Sequence, residues 1–311
     1  MPPPIRLMIA GLPRCGTTLL ASLLNQQKGC RFVTDYVSWF RDACERLEVE
    51  WNEPLTLAQR RVCLALARDS WIRLRHPVLV TTEQFSTIDE LHQAIAGELV
   101  REGTRAVGHK ALLSPEQIEV ARQRTKIHLI IMARDPRAAV LSYWHRTGEG
   151  VEAYVDNWKK TVRYASDARR GVTLLRFEDL VERTEATLGK ITQLWGEQPT
   201  LPTKLSFDDG PSSVDWKENS AFGDVVEPFD RTPLARWKES AESPIVRYAD
   251  AVCRGEMGRL GYEPLSDHST RSRMRHQIHA AVWDLDRRVD TAWRRLRVRV
   301  RERLAPPLTH G

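Results

Sequence analysis

The chain has 311 residues, of which 41% are hydrophobic, and a net charge of +6 with a pI near 9.2. The hydrophobic content is enough for a sizeable core, which excludes a wholly disordered chain, and the positive charge favours anionic ligands or surfaces. No run of 18 apolar residues occurs, so the sequence excludes a transmembrane helix. The first apolar run begins so near Met1 that we expect no signal peptide.

The five cysteines are odd in number, scattered and without C-x-x-C spacing. This pattern predicts free thiols in a reducing compartment, with neither a disulfide framework nor a zinc site. The nine histidines also lack the spacing of metal ligands. We therefore expect a cytoplasmic protein that has no metal site.

Short apolar runs and stretches of helical periodicity alternate along the chain. The apolar runs predict strands at 5–10, 31–34, 105–110, 127–132 and 172–176. The periodic stretches predict helices at 16–28, 38–75, 88–101, 136–147, 151–170, 178–195 and 235–262, with a further helix start at Ser114-Pro115. This alternation predicts a three-layer α/β/α fold of the P-loop type with a central parallel sheet. Such sheets bind their ligands beyond the carboxyl ends of the strands.

Two segments depart from this alternation. Residues 197–234 are rich in Pro, Ser, Asp and Gly, a composition typical of a lid or a binding loop. Residues 270–304 carry eleven arginines against four acidic residues, and their apolar residues recur every three or four positions. That pattern predicts one long C-terminal amphipathic helix. We therefore divide the chain into a domain at 1–265 and a basic helical extension at 266–311.

A loop bounded by Gly11 and Gly16 joins the first predicted strand to the first predicted helix. A glycine-bounded loop that leads into a helix N-terminus is the arrangement that cradles phosphate groups. Thr17 stands where nucleotide-hydrolysing loops have lysine, and Arg14 lies inside the loop. The sequence therefore predicts a phosphate-like ligand that is not ATP or GTP used in the ordinary way.

A second polar cluster follows the strongest predicted strand. Arg134 lies at the strand end, while Ser142 and Arg146 are one turn apart on the following helix. Two guanidinium groups and a hydroxyl suit a dianionic phosphate. An alternative interpretation makes Asp135 the Mg²⁺ ligand of a P-loop kinase that acts on a small hydroxyl compound.

Motifs in family order along residues 5–265 resemble those of sulfotransferases that depend on 3′-phosphoadenosine 5′-phosphosulfate (PAPS). Pro13-Arg14-Cys15-Gly16-Thr17-Thr18 resembles their 5′-phosphosulfate loop, with Cys15 in place of the usual Ser. Arg134-Asp135-Pro136-Arg137 with Ser142 resembles the 3′-phosphate motif, and Phe177-Glu178-Asp179-Leu180 resembles Y-E-D-L. The resemblance extends to the C-terminal signature of the family, at Asn219-Ser220, Arg236-Trp237-Lys238 and Gly261-Tyr262. Lys110 and Arg146 make the chain more similar to the tyrosylprotein and carbohydrate branches than to the phenol and steroid branch.

The resemblance implies transfer of a sulfuryl group from PAPS to a hydroxyl or amine, with release of 3′-phosphoadenosine 5′-phosphate (PAP) and no required metal. The acceptor would be a saccharide, a peptide or a small natural product. The donor-binding residues that the resemblance implies are Pro13, Arg14, Cys15, Gly16, Thr17, Thr18, Arg134, Ser142, Arg146, Phe177, Ser220 and Arg236.

The resemblance also implies four catalytic candidates. Arg14 would be the main electrophile, stabilising negative charge on the bridging oxygen of the donor, and Lys110 would assist it. The general base would be Asp35, where the family has Glu, or His109. Because side chains alternate along a strand, His109 should point away from its neighbour Lys110, which favours Asp35.

The sequence leaves two other functions open. The first is the kinase, which lacks its loop lysine, and the second is a non-catalytic anion-binding scaffold whose function lies in the 270–304 helix. That helix also suits contact with a second copy of the chain, or with an anionic membrane surface that would hold a cytoplasmic protein at the membrane periphery. Nucleic acid is not an expected partner, because no base-reading motif occurs.

Overall fold

The computed structural model describes residues 3–36, 39–72, 78–111, 118, 127–167, 172–201 and 231–265. Within them lies a five-stranded sheet in which all neighbouring strands are parallel. The strands are β1 (Ile5–Gly11), β2 (Cys30–Tyr36), β3 (Ala106–Lys110), β4 (His128–Ala133) and β5 (Val172–Arg176). Their order is β2-β3-β1-β4-β5. The expected central parallel sheet is confirmed.

β1 lies at the centre of the sheet, with β2 and β3 on one side and β4 and β5 on the other. Most residues of β1 and β4 are buried, which explains why their sequences are mainly apolar. The chain crosses from one side of β1 to the other between β3 and β4. Open parallel sheets bind ligands at the carboxyl ends of the strands beside such a switch, and the loop after β1 lies there.

In the described part of the chain, the helices up to residue 167 are α1 (Thr17–Asn25), α2 (Trp39–Leu47), α3 (Leu57–Ile72), α4 (Ile88–Glu98), α5 (Pro136–Thr147) and α6 (Val151–Asp167). They are followed by α7 (Phe177–Glu182), α8 (Thr184–Thr192), α9 (Thr232–Ala235), α10 (Pro244–Val252) and α11 (Arg254–Arg259), with 3₁₀ turns at Gln193–Trp195 and Arg236–Ser240.

The helical block predicted at 38–75 is divided into α2 and α3. Thr56 and Gln59 form a capping box at the start of α3: the Thr56 N–H donates to Gln59 Oε1 at 2.9 Å, and the Gln59 N–H donates to Thr56 Oγ1 at 3.3 Å. The blocks predicted at 178–195 and 235–262 also consist of several shorter helices. In the last of these, Ser243 caps α10 and Pro244 is its first residue, which sets a new helix start.

One face of the sheet carries a hydrophobic core formed with three helices. Met8 of β1 and Leu129 of β4 pack there against buried residues of α2, α3 and α4. Trp39 and Phe40, at the start of α2, are among the largest fully buried side chains. α1 contacts β1, β2 and β3, and its leucines are buried. The sheet therefore fixes the position of the α1 N-terminus, where the loop ends.

The described chain forms two compact units, residues 1–135 with 157–236 and residues 136–156 with 237 onward. In the second unit, α5 packs against α10 through a small cluster of Ala138, Leu141, Trp237 and Val246. The predicted helix at 270–304 and Ser220 lie outside the described residues, as does the helix start at Ser114-Pro115. None of the described helices is long and apolar enough to span a membrane.

A buried ion pair organises the second unit. Arg137 Nη1 donates to Asp250 Oδ1 at 2.9 Å and to the Glu263 carbonyl oxygen at 2.8 Å, and its guanidinium lies 4.1 Å from the centre of the Trp237 ring. The two charged side chains are only 5% and 0% exposed. The Leu265 N–H also donates to Asp250 at 2.9 Å, so this pair joins α5, α10 and the chain at 263–265.

Gly108 in β3 leaves the space that the Phe32 ring occupies. A Cβ atom at Gly108 would overlap that ring and lie 2.8 Å from the Leu7 carbonyl oxygen. We predict that Gly108→Ala lowers the free energy of unfolding by about 1–3 kcal/mol, because overpacking forces the ring and the strands apart. Urea unfolding measures the change.

The matched control for Gly108→Ala is Gly97→Ala in α4. No heavy atom lies within 4 Å of a Cβ at Gly97, and alanine is the better helix former, so this variant should be more stable by about 0.5–1 kcal/mol. A Gly108→Ala protein as stable as the wild type would contradict the proposed close packing.

Candidate active site

The loop between β1 and α1 has backbone angles that most side chains would disfavour. Gly11 has φ +150° and Gly16 has φ +87°. A Cβ at Gly11 would lie 2.8 Å from the Met132 carbonyl oxygen, and one at Gly16 would overlap the Phe177 ring. Arg14 adopts φ +73° although it is not glycine, a left-handed conformation that costs about 1–2 kcal/mol. Strain of this kind clusters at functional sites.

The loop brings a helix N-terminus to the carboxyl edge of the sheet. Gly16 is the N-cap of α1 and supplies no side-chain hydrogen bond to the first turn. Helix N-termini carry partial positive charge on their N–H groups, so this end suits an anion. The Cys15 N–H donates to the Leu12 carbonyl oxygen at 3.3 Å, which closes the turn before the helix.

Lys110 is the last residue of β3 and reaches this helix end. Its Nζ donates to Thr18 Oγ1 at 2.8 Å, and the residue is only 3% exposed. A buried ammonium group is costly unless hydrogen bonds or opposite charge compensate for its lost hydration. The arrangement therefore places a desolvated positive charge beside the first turn of α1.

Arg134 follows β4 and approaches the loop from the other side of β1. Its Nη1 donates to the Arg14 carbonyl oxygen at 3.2 Å, and its Nη2 donates to the Pro233 carbonyl oxygen at 2.7 Å. Its Cζ lies 4.6 Å from the centre of the Phe177 ring. Both of these acceptors are neutral backbone oxygens, so the guanidinium keeps its charge available for an anionic ligand.

A profile of the sulfotransferase family matches residues 4–198, more than half of the chain and the part that contains this loop, Lys110 and Arg134. The chain belongs to the sulfotransferase family. It is therefore an enzyme that transfers a sulfuryl group to an acceptor, and the kinase and scaffold alternatives are set aside. A comparison with curated protein sequences finds no match.

The sulfotransferase is similar to three solved structures. The sulfotransferase domain of the Synechococcus PCC 7002 olefin synthase is 14% identical, with a TM-score of 0.52, and the match covers 84% of this chain and 96% of that one. Retinol dehydratase, in complex with androsterone and inactive cofactor PAP, is 13% identical with a TM-score of 0.45 over 85% and 82% of the two chains. STF9 from Mycobacterium avium is 11% identical with a TM-score of 0.40 over 86% and 79%. At 14% identity, the likeness to the olefin synthase domain concerns the fold alone.

His109, one of the two candidate bases of the sulfotransferase, is buried. His109 is 4% exposed, and its Nε2 is hydrogen-bonded to His92 Nε2 of α4. Phe40 of α2 lies beside the same ring. His109 therefore points to the face covered by α2 and α4, whereas Lys110 points to α1. A pocket on the His109 side is lined by Arg6, Trp39, His92, Ile95, Leu99 and His109, among others.

Asp35 lies near the carboxyl end of β2. The pairing between β2 and β3 shifts register between Val33 and Tyr36, and Tyr36 pairs with Lys110. The backbone at Asp35 is therefore at the strand end from which Lys110 reaches α1.

The other predicted donor residues are distributed over both units. Ser142 is half-buried and Arg146 is exposed, and the two are one turn apart on α5. Arg236 is exposed at the start of a 3₁₀ turn.

All five cysteines are free, as expected, and Cys15 in the loop is buried. No local pattern in the sequence marks Trp158, whose indole N–H donates to the Arg134 carbonyl oxygen at 3.0 Å.

The buried histidine pair predicts a pH dependence of stability. Burial lowers the pKa of His109 to about 4, and burial together with the neighbouring His109 lowers the pKa of His92 well below its usual value. In the unfolded chain both rings would bind protons below about pH 6.5. The unfolded state thus binds more protons between about pH 6.5 and 4, and the free energy of unfolding should fall by a few kcal/mol as the pH is lowered through that window.

Urea unfolding across this pH range tests the prediction. Replacing both rings, in His92→Gln/His109→Gln, should flatten the fall, whereas His145→Gln, which removes an exposed ring, should keep the wild-type slope. If the free energy of unfolding fell equally with pH in the wild type and in both variants, the histidine pair would not be neutral in the folded state.

Proposed function

We propose that the sulfotransferase uses PAPS as donor and that residues 13–18 hold its 5′-phosphosulfate. The observation that supports this most directly is the approach of two cations to the loop from strand ends on opposite sides of β1. Lys110 Nζ is 2.8 Å from Thr18 Oγ1, and Arg134 Nη1 is 3.2 Å from the Arg14 carbonyl oxygen. Together with the α1 N-terminus, they provide a positive field at one loop.

In the proposed reaction, an acceptor oxygen or nitrogen attacks sulfur in line with the bond that breaks. A new bond to sulfur forms as the bond from sulfur to the bridging oxygen of the 5′-phosphate breaks, and PAP leaves with the electron pair. Negative charge builds on that bridging oxygen, so preorganised positive groups lower the barrier. Arg14 is the proposed main electrophilic catalyst, and Lys110 and the loop N–H groups assist it. Arg14 stabilises the negative charge and does not give up its proton.

The acceptor also loses a proton, which requires a general base. We propose Asp35, because its backbone lies at the strand end from which Lys110 reaches the loop. His109 remains the alternative base, but its ring is buried against His92 on the other face of the sheet. No metal is required in this scheme.

The remaining donor contacts are assigned to the adenosine 3′-phosphate end. Arg134 would bind the 3′-phosphate together with Ser142 and Arg146, through charge-assisted hydrogen bonds. Phe177 is proposed to pack near the adenine while it supports Arg134. Ser220 and Arg236 complete the predicted set.

Replacement of Arg14 by glycine removes the positive charge, which should affect the rate, and relieves the backbone strain, which should affect the stability. We predict that Arg14→Gly lowers the rate of sulfuryl transfer by about 10²–10³-fold, the usual cost of removing one charge-stabilising group. Its stability should be unchanged or higher by about 1 kcal/mol, because glycine adopts φ +73° without strain. Radiolabelled PAPS with a panel of hydroxyl and amine acceptors measures the rate, and thermal unfolding measures the stability.

Glu48→Gly is the matched control. Glu48 also has a positive φ, of +53°, and it is exposed between α2 and α3, so glycine there should relieve strain without changing the rate. Wild-type turnover by Arg14→Gly would remove Arg14 from the mechanism. A wild-type protein that binds neither PAP nor PAPS would overturn the proposed donor.

We further propose that the chain consists of a catalytic domain at 1–265 and a basic extension at 266–311. The eleven arginines at 270–304 suit an anionic membrane surface or a second copy of the chain, and a cytoplasmic enzyme would then be peripheral at the membrane. The acceptor is a hydroxyl- or amine-bearing molecule.

Truncation tests this proposal. The full chain should sediment with anionic lipid vesicles, and a chain that ends at residue 265 should not, whereas neither should sediment with neutral vesicles. Loss of dimers on truncation, seen by light scattering without any vesicle binding, would favour the second copy. No change in either measurement would contradict both roles.

A further inference from the structure

The backbone at Arg134-Asp135 lies just beyond the end of β4, where the sheet no longer supplies hydrogen bonds. Two side chains bind it instead. Trp158 Nε1 of α6 donates to the Arg134 carbonyl oxygen at 3.0 Å, and Glu178 Oε1 of α7 accepts from the Asp135 N–H at 3.0 Å. Trp158 is 1% exposed, so its indole has a fixed position in the core.

The first residue of α7, Phe177, contacts the side chain of Arg134. Phe177, which precedes Glu178, places its ring 4.6 Å from the guanidinium carbon and is 3% exposed. The same ring fills the space beside Gly16. The first two residues of α7 therefore contact the Arg134 side chain, the following peptide and the loop.

An arginine that must bind a phosphate gains affinity when its position is fixed before the ligand arrives. The side chain otherwise loses rotamer entropy on binding, and the backbone beneath it can shift. Fixed surrounding groups are what allow a binding residue to keep its geometry.

We propose that Trp158 and Glu178 are positioning residues for Arg134, which act by holding both ends of the peptide group that follows its Cα atom. Neither residue touches the donor in this scheme. The inference rests on the proposed function, because it takes Arg134 to be a ligand of the 3′-phosphate. Trp158 offers the cleaner variant, because Trp158→Phe removes its single side-chain N–H while it keeps an aromatic ring.

The test is a double-mutant cycle on PAP affinity, measured by titration calorimetry. We expect Arg134→Ala to weaken PAP binding by about 10- to 100-fold, the effect of a lost charged hydrogen bond. Trp158→Phe should weaken it by about 3- to 10-fold. In the Arg134→Ala background, Trp158→Phe should have little further effect, because a positioning residue has nothing left to position.

Trp195→Phe is the matched control. The Trp195 indole N–H donates to the Lys28 carbonyl oxygen at 3.1 Å, and the residue is 7% exposed, so the same hydrogen bond and volume are lost away from Arg134. This variant should lose stability as Trp158→Phe does and should bind PAP as the wild type does. Reduced affinity in Trp195→Phe would indicate a general effect of destabilisation and overturn the inference.

Glu178 gives a second test that does not depend on the folding of Trp158→Phe. Glu178→Ala removes the acceptor of the Asp135 N–H and should weaken PAP binding, whereas Glu178→Gln keeps an oxygen there and should restore most of the affinity. Wild-type affinity in Trp158→Phe or Glu178→Ala, or additive losses in the cycle, would overturn the inference while leaving the donor assignment intact. Absence of PAP binding by the wild type would overturn the proposed function and this inference with it.

Discussion

The loop between β1 and α1 is packed between the Met132 carbonyl and the Phe177 ring, and this packing leaves no room for a side chain at Gly11 or Gly16. The rest of the site depends on that close approach. Because the loop lies directly over the sheet edge, residues at the ends of β3 and β4 can reach it with single side chains. The strain at Arg14 is a consequence of the same tight path.

Two cations near this loop have lost much of their contact with water. Lys110 is almost fully buried, and Arg134 is half-buried between two backbone oxygens and an aromatic ring. Positive charge in a desolvated site interacts with an anion more strongly than it would in water. The same desolvation disfavours protonation of the histidine pair on the opposite face. Both effects follow from the burial of polar groups within the fold.

Successive side chains of β3 point to opposite faces of the sheet, so Lys110 faces the proposed active site and His109 faces the core. Lys110 reaches Thr18, whereas the adjacent His109 reaches His92. The alternation of side chains along a strand predicts this divergence from the sequence. It could not predict that a second histidine, 17 residues away on α4, would meet His109. Likewise Trp158 carries no local pattern that marks it as a partner of the Arg134 carbonyl.

The sequence by itself determined the five strands, the phosphate-binding character of the loop and the family motifs, because each depends on neighbouring residues or on short periodic patterns. It also indicated that Lys110 and Arg134 lie at strand ends. Only the tertiary structure decided the strand order, which pairs β1 with a strand about 100 residues away. It also decided which groups surround Arg134, since Arg14, Trp158, Phe177 and Pro233 come from four separate segments. Contacts between distant segments arise from packing of the whole domain, and no local pattern in the sequence encodes them.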